Sequence, residues 1–158
     1  MSPAPSAEKP LAGLEEIKKN YPASSAALMP ALYEARRQFG WLSPEALSAV
    51  ADALNLPKAA VRSTASFYGM FNQGKTGRHL VRICTNVACM VLGAGSVLEK
   101  LEARYGLTPG GTSRDGRFSL AVTECIGACD KGPAMLVDDD MHTDLTGERI
   151  TEVLERYE

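Results

Sequence analysis

The chain has 158 residues, 45% of them hydrophobic and 23% charged, and a formal net charge of −2. That length buries a core without covalent staples, so the four cysteines are not needed as a disulfide framework, and the charge gives no sign of a nucleic-acid partner. The opening MSPAPSAEKP has neither the apolar core of a signal peptide nor an Arg-rich transit pattern, and the longest apolar run, Ala88 to Gly95, falls far short of the ~18–20 residues of a membrane span.

Residues 1–10, rich in Pro, Ala and Ser, read as a disordered tail. A helical period follows, with Leu11, Leu14, Ile17 and Tyr21 on one face before Pro22 stops the turn. A second helix is expected from Ser24 or Ser25, residues of N-cap type. It carries Leu28, Leu32, Ala35 and Phe39 on one side, has Pro30 early in it as a first-turn boundary or kink, and ends at Gly40. In LSPEAL, Ser43 is the N-cap, Pro44 the first helical residue and Glu45 a first-turn acid, with Leu47, Val50, Ala51 and Leu54 following at helical spacing. Pro57 opens a fourth helix through about Ser66. The aromatic FYGMF, Phe67 to Phe71, is assigned to core packing, with a partner contact as the alternative, and Trp41 to an anchor among the helices. These residues, 11–73, are assigned to an N-terminal helical bundle.

NQGKTG, Asn72 to Gly77, has the composition of a linker, and the pattern changes beyond it. HLVRICT, His79 to Thr85, reads as a strand. Ala94, Val97, Leu98, Leu101 and Tyr105 form a helical stripe capped by Gly106. Phe118 to Thr123 is a strand, Ala134 to Val137 a short buried one, DDD a turn and MHTDL a last strand, and Thr146 caps a final helix with Ile150, Val153, Leu154 and Tyr157 inward. Residues 74–158 thus predict a small sheet flanked by helices, and the whole chain a mixed α+β or α/β fold. Residues 138–158 hold eight Asp or Glu against two Arg, the composition of a solvated surface.

The four cysteines lie where strands end. Cys84 and Cys89 are separated by four residues, Cys125 and Cys129 by three, with thirty-five residues between the pairs. Each pair follows a predicted strand, and in a parallel sheet such loops stand side by side, so two of them bring four thiols to one point. A thioredoxin-type dithiol requires C-x-x-C, which neither pair has. Structural zinc accepts the first spacing more readily than the second, and neither His79 nor His142 stands at partner spacing to a cysteine. A [2Fe–2S] cluster needs two thiolates on each of two irons and suits both spacings, so cluster, zinc and thiol chemistry all stay open, the cluster favoured. Gly127 lies within the second pair and Gly132 just beyond it, as Gly93 and Gly95 follow the first; glycine lets backbone come close to sulfur and donate N–H bonds.

At these residues a resemblance enters. CTNVACMVLGAGSVLEKLE, DGRFSLAVTECIGACDKGPAMLVDDDMHTDLT and VLERYE are similar to the thioredoxin-like [2Fe–2S] subunit of bacterial NADH:quinone oxidoreductase, respiratory complex I. The same family supplies subunits to NAD-reducing hydrogenases and NAD-dependent formate dehydrogenases, and the resemblance extends to FGWLSPEAL and SFYGMF in the helical part. It implies a helical bundle followed by a thioredoxin-like [2Fe–2S] ferredoxin domain, with Cys84, Cys89, Cys125 and Cys129 as ligands to the cluster iron and Pro133 structurally constrained, its peptide a candidate for cis. It further implies an electron-transfer subunit of an NADH dehydrogenase, without catalytic residues of its own, beside a flavoprotein subunit that binds FMN and NADH and trades single electrons with the cluster. The location implied is cytoplasmic, in the peripheral arm of a membrane-associated complex. The chain has no G-x-G-x-x-G after a strand, so flavin and nicotinamide are expected on the partner. A zinc-stabilised module without redox role is the alternative of a different class. His79, His142 and the acidic turn Asp138–Asp140 are assigned no functional role, and Lys131 is a charge beside the second cysteine pair.

Overall fold

Ser43 and Pro44 act as their residue types dictate. Ser43 Oγ accepts the Ala46 N–H at 3.1 Å and Pro44 takes the first helical position, where a missing N–H costs nothing. The helix they start, Pro44–Leu54, is α3 of a computed structural model that describes residues 13–157 in two compact units, one reaching to Lys75 and the other beginning at Thr76. Leu11 and residues 1–10 lie outside the described residues.

In the first unit α1 (Leu14–Lys19), α2 (Leu28–Phe39), α3 and α4 (Lys58–Phe67) enclose one core, with Leu32, Leu42, Val50, Leu54 and Val61 fully buried. Three sequence expectations need correction. The first helix ends at Lys19, so Tyr21 lies beyond it and is exposed. The second is entered through tight turns: the Ser24 and Ser25 carbonyls accept the N–H groups of Ala27 and Leu28, and Ala27, not a serine, stands at the N-cap. Pro30 does fall in the first turn and Gly40 ends the helix. FYGMF is only partly core. Phe71 is 4% exposed but Phe67 is 81% exposed, with Phe67, Tyr68, Phe71 and Tyr33 running edge to face at centroid spacings of 5.0, 6.4 and 5.1 Å. Trp41 is half-buried, and Leu42 beside it fills the core.

The second unit is built on a four-stranded sheet. β1 (His79–Cys84) pairs in parallel with β2 (Phe118–Thr123), His79 opposite Phe118 and Cys84 opposite Thr123, and antiparallel on its other edge with β3 (Met135–Val137). β4 (Asp140–His142) completes the order β2-β1-β3-β4. The short α5 (Val87–Val91) follows β1, and α6 (Ala94–Tyr105) and α7 (Gly147–Leu154) supply Val97, Leu101, Ile150, Val153 and Leu154 to the core with Val81, Ile83, Phe118 and Met135. Thr146 caps α7 as its type predicts, its hydroxyl accepting the Arg149 N–H at 3.2 Å. The helix α5 has no counterpart in the sequence reading: five residues are too few to show a helical period.

The acidic turn is structural as well as solvated. Asp138 is half-buried in the left-handed region (φ 56), its Oδ1 accepting the Leu80 N–H at 2.9 Å and its Oδ2 lying 2.7 Å from His79 Nδ1. Its carbonyl accepts from the buried Arg82. The side chains thus clamp the β3–β4 turn to the start of β1.

At the same end of the sheet the Tyr157 hydroxyl donates to Asp140 at 2.9 Å and lies 2.8 Å from His142 Nε2. Burial first, then the bond to Asp140, push its phenol up to about 12. An unfolded tyrosine titrates near ~10, so the folded state holds this proton more tightly. The contribution is therefore complete below pH ~10 and is lost as pH rises through the folded value. Urea unfolding of wild type and Tyr157→Phe over that window checks it: wild type is expected to lose stability faster with pH than the variant, and parallel profiles would refute the assignment.

Candidate metal centre

The parallel pairing of β1 with β2 carries the site. Cys84 closes β1 in register with Thr123, the last residue of β2, so the two strands end side by side and both cysteine loops leave from one edge. Cys89 lies within α5 immediately beyond β1, and Cys125 two residues beyond β2. Cys129 opens a single 3-10 turn, Cys129–Lys131, from which the chain returns to β3 on the far side of β1. The Cys84 N–H is taken by the Ala134 carbonyl at 3.1 Å, so the second loop passes both flanks of β1.

Polar contacts tie the loops together. The Thr85 N–H donates to the Thr123 carbonyl at 2.9 Å, and Asn86 Nδ2 donates to Glu124 Oε2 at 3.1 Å. Asn86 stands at the N-cap of α5 but makes no side-chain capping bond, its amide reaching the other loop instead. Sequence reasoning did not find this tie, although an Asn directly before an apolar run was a signal that its side chain would be used locally.

The four thiols form two pairs of unlike setting. Cys84 and Cys89 are 1% and 2% exposed, whereas Cys125 and Cys129 are open to solvent. Cys125 and Cys129 bring their sulfurs to 3.3 Å. A tetrahedral metal with bonds of ~2.3 Å spaces two thiolates by roughly 3.8 Å, so little movement would put both on one ion. Gly127, at φ 85, turns its N–H back to Cys125 Sγ at 3.4 Å, a conformation open to glycine at low cost.

The titration of the thiols shows their mutual reach. Burial above all, then contact with Cys84, pushes the Cys89 thiol up, and thiolate charge on Cys84 and Cys125 adds to the shift. The Gly127 N–H and then the Cys129 thiol pull Cys125 down. Cys129 is held up by Cys125 first, and the charges of Cys89 and Cys84 act on it as well. Two of the thiols, Cys89 and Cys129, are thus costlier to ionise beside their neighbours, a cost that a cationic centre would relieve. Among the described residues no group of three or more His, Cys, Asp or Glu stands together as ligands for one ion, and the sulfurs in contact are those of Cys125 and Cys129.

The Gly132–Pro133 peptide at the end of the second loop is cis. Gly132 has ordinary backbone angles (φ −73, ψ 161) and lies against the first loop beside Cys89, the kind of close approach to sulfur that its residue type allows. Lys131 is exposed beside Cys129.

A parallel strand pair ending in paired cysteine loops, with helices α6 and α7 packed into the core of the same unit, defines the class. Residues 14–158 match the family described as thioredoxin-like [2Fe-2S] ferredoxin, and the chain belongs to that family. Among its relatives is the E-type subunit of the NADH-quinone oxidoreductase of Salmonella typhimurium, 41% identical over 144 residues, which are 91% of this chain and 87% of the relative. The corresponding subunits of Escherichia coli K12 and Pseudomonas aeruginosa are 40% and 34% identical over the same shares. A solved NAD+-reducing [NiFe]-hydrogenase, in the air-oxidised state, is similar at a TM-score of 0.71 and 29% identity over 82% of this chain; the match spans only 22% of the hydrogenase chain. No helix among the described residues is long and apolar enough to cross a membrane.

Proposed function

We propose that the chain is the [2Fe–2S] electron-transfer subunit of an NADH:quinone oxidoreductase, seated against the subunit that binds FMN and NADH. The observation that carries this reading is the 2+2 set of thiols at the ends of β1 and β2. Cys84 and Cys89 would hold one side of the cluster and Cys125 and Cys129 the other. When bound, such a cluster accepts and returns one electron at a time. The residues around it do the rest. Burial of Cys84 and Cys89 keeps water from one face. The Gly127 N–H offsets negative charge on the Cys125 sulfur. Exposure of Cys125 and Cys129 puts two ligand sulfurs at the protein boundary, where a flavin held by a partner can be brought close. Around them α5 turns Val87, Met90 and Val91 outward, Val91 at 80% exposure, and Leu92 follows. An apolar rim beside a redox centre suits a subunit that works in contact with another.

The likeness to the hydrogenase favours a second reading in which the same subunit serves an NAD-linked hydrogenase. Anaerobic purification with natural neighbours separates the two by which chains co-purify. On the same sample, about two irons and two sulfides per chain, with an EPR signal on reduction, are expected. A colourless chain holding zinc would overturn both readings and leave a structural module.

A further inference from the structure

The two cysteine loops touch at one residue without a side chain. A methyl group on Gly132 would stand 2.9 Å from Leu92 Cδ1, 3.4 Å from Cys89 Sγ and 3.6 Å from Cys89 Cα. Gly132 belongs to the second loop, Cys89 and Leu92 to the first. The backbone does not demand glycine here: φ −73 and ψ 161 are the extended angles that any residue before proline adopts. What the position demands is space.

We infer that Gly132 is a positioning residue that sets the separation of the two cysteine pairs by letting Cys89 close onto the second loop. The inference rests on the cluster reading above and deepens it. Its logic is steric. Cys89 is buried at 2% exposure and sits in α5, so its sulfur cannot retreat without moving the helix. Leu92, by contrast, is half exposed, and Cδ1 is the far end of a flexible side chain. An alanine at 132 displaces Leu92 outward and meets Cys89 Sγ at ordinary contact distance. A valine adds methyl groups ~1.5 Å further out, which the Cys89 side of the gap cannot absorb without parting the loops. The cost therefore falls on the spacing of the ligands, and only secondarily on the fold.

The test uses the full-length chain, purified anaerobically as wild type, Gly132→Ala, Gly132→Val and Gly111→Ala. The last is the control for mere instability. A methyl group there would stand 2.9 Å from Thr108 Oγ1 and 3.0 Å from the Thr108 carbonyl, a clash at least as severe, in the turn that precedes β2. Iron and sulfide per chain, the EPR spectrum after dithionite reduction and the midpoint potential are the readouts. Gly132→Ala is expected to keep the cluster, and Gly132→Val to lose at least half of its iron or to show shifted g-values and potential. Gly111→Ala is expected to unfold more easily while its spectrum stays that of wild type. A Gly132→Val chain with wild-type iron, spectrum and potential would overturn the inference, as would a spectrum changed equally by Gly111→Ala. A wild-type chain without iron and sulfide would instead sink the cluster reading beneath it.

Discussion

Replacing Cys89 by alanine is expected to strip the chain of iron and acid-labile sulfide. Cys89 is buried where the first loop meets Gly132 of the second: its sulfur faces Cys84 and lies within electrostatic reach of Cys125 and Cys129. Alanine removes a small, fully buried group, so the packing loss is on the order of 1–2 kcal/mol, too little by itself to unfold a domain. On the proposed ligand set, one missing thiolate would leave an iron with a single protein ligand on a buried face where water cannot substitute. Folding and cluster content should therefore separate: near-native far-UV circular dichroism, with visible colour and reduced-state EPR signal gone. Retention of about two irons and a wild-type spectrum would show that the four-thiol assignment is wrong, whatever the family resemblance.

The second large effect lies at the opposite end of the same strands. Phe118→Ala is expected to cost the C-terminal unit ~3–5 kcal/mol. Phe118 opens β2 at 1% exposure, with His79 and Tyr105 at ring spacings of 5.9 and 6.1 Å and the Arg117 guanidinium 4.8 Å above its ring. Several elements would collapse only partly into the cavity, because α6 and β1 are each held by other core contacts. For a domain of this size each kcal/mol moves the thermal midpoint by roughly 4–8 °C, so calorimetry should show a fall of more than ~12 °C. A fall of only a few degrees would mean that the ring is not the keystone its burial indicates. At low temperature the variant should still bind iron, since the cysteine loops leave the other end of the strands.

Much of this molecule was legible in its sequence because the decisive signals are local. Ser43-Pro44, Gly40, Gly106 and Thr146 mark helix ends through backbone chemistry that requires no neighbour, and the alternation of Phe118 to Thr123 marks a strand by its own period. The cysteine spacings, placed after strands, identified the ligand candidates by the same kind of rule. The misjudged places are those where burial decides. Nothing in FYGMF distinguishes the buried Phe71 from the exposed Phe67, and Ser24 and Ser25 have the right type for a cap that the chain forms at Ala27 instead. Asp138 reads as a solvated turn until the hairpin folds back and sets it against His79 and the Leu80 amide.

Local chemistry along the chain thus determines most of the elements, their order and which thiols could serve. How those thiols relate is settled in three dimensions. Only the parallel register of β1 with β2 puts Cys84 beside Thr123, only the return of the chain to β3 brings Gly132 against Cys89, and only packing makes one pair buried and the other open. Spacing along a chain fixes what two residues of one loop can reach. The distance between loops thirty-five residues apart is set by strand pairing and by the volume of the side chains between them, and here the one side chain that would hold them apart is missing.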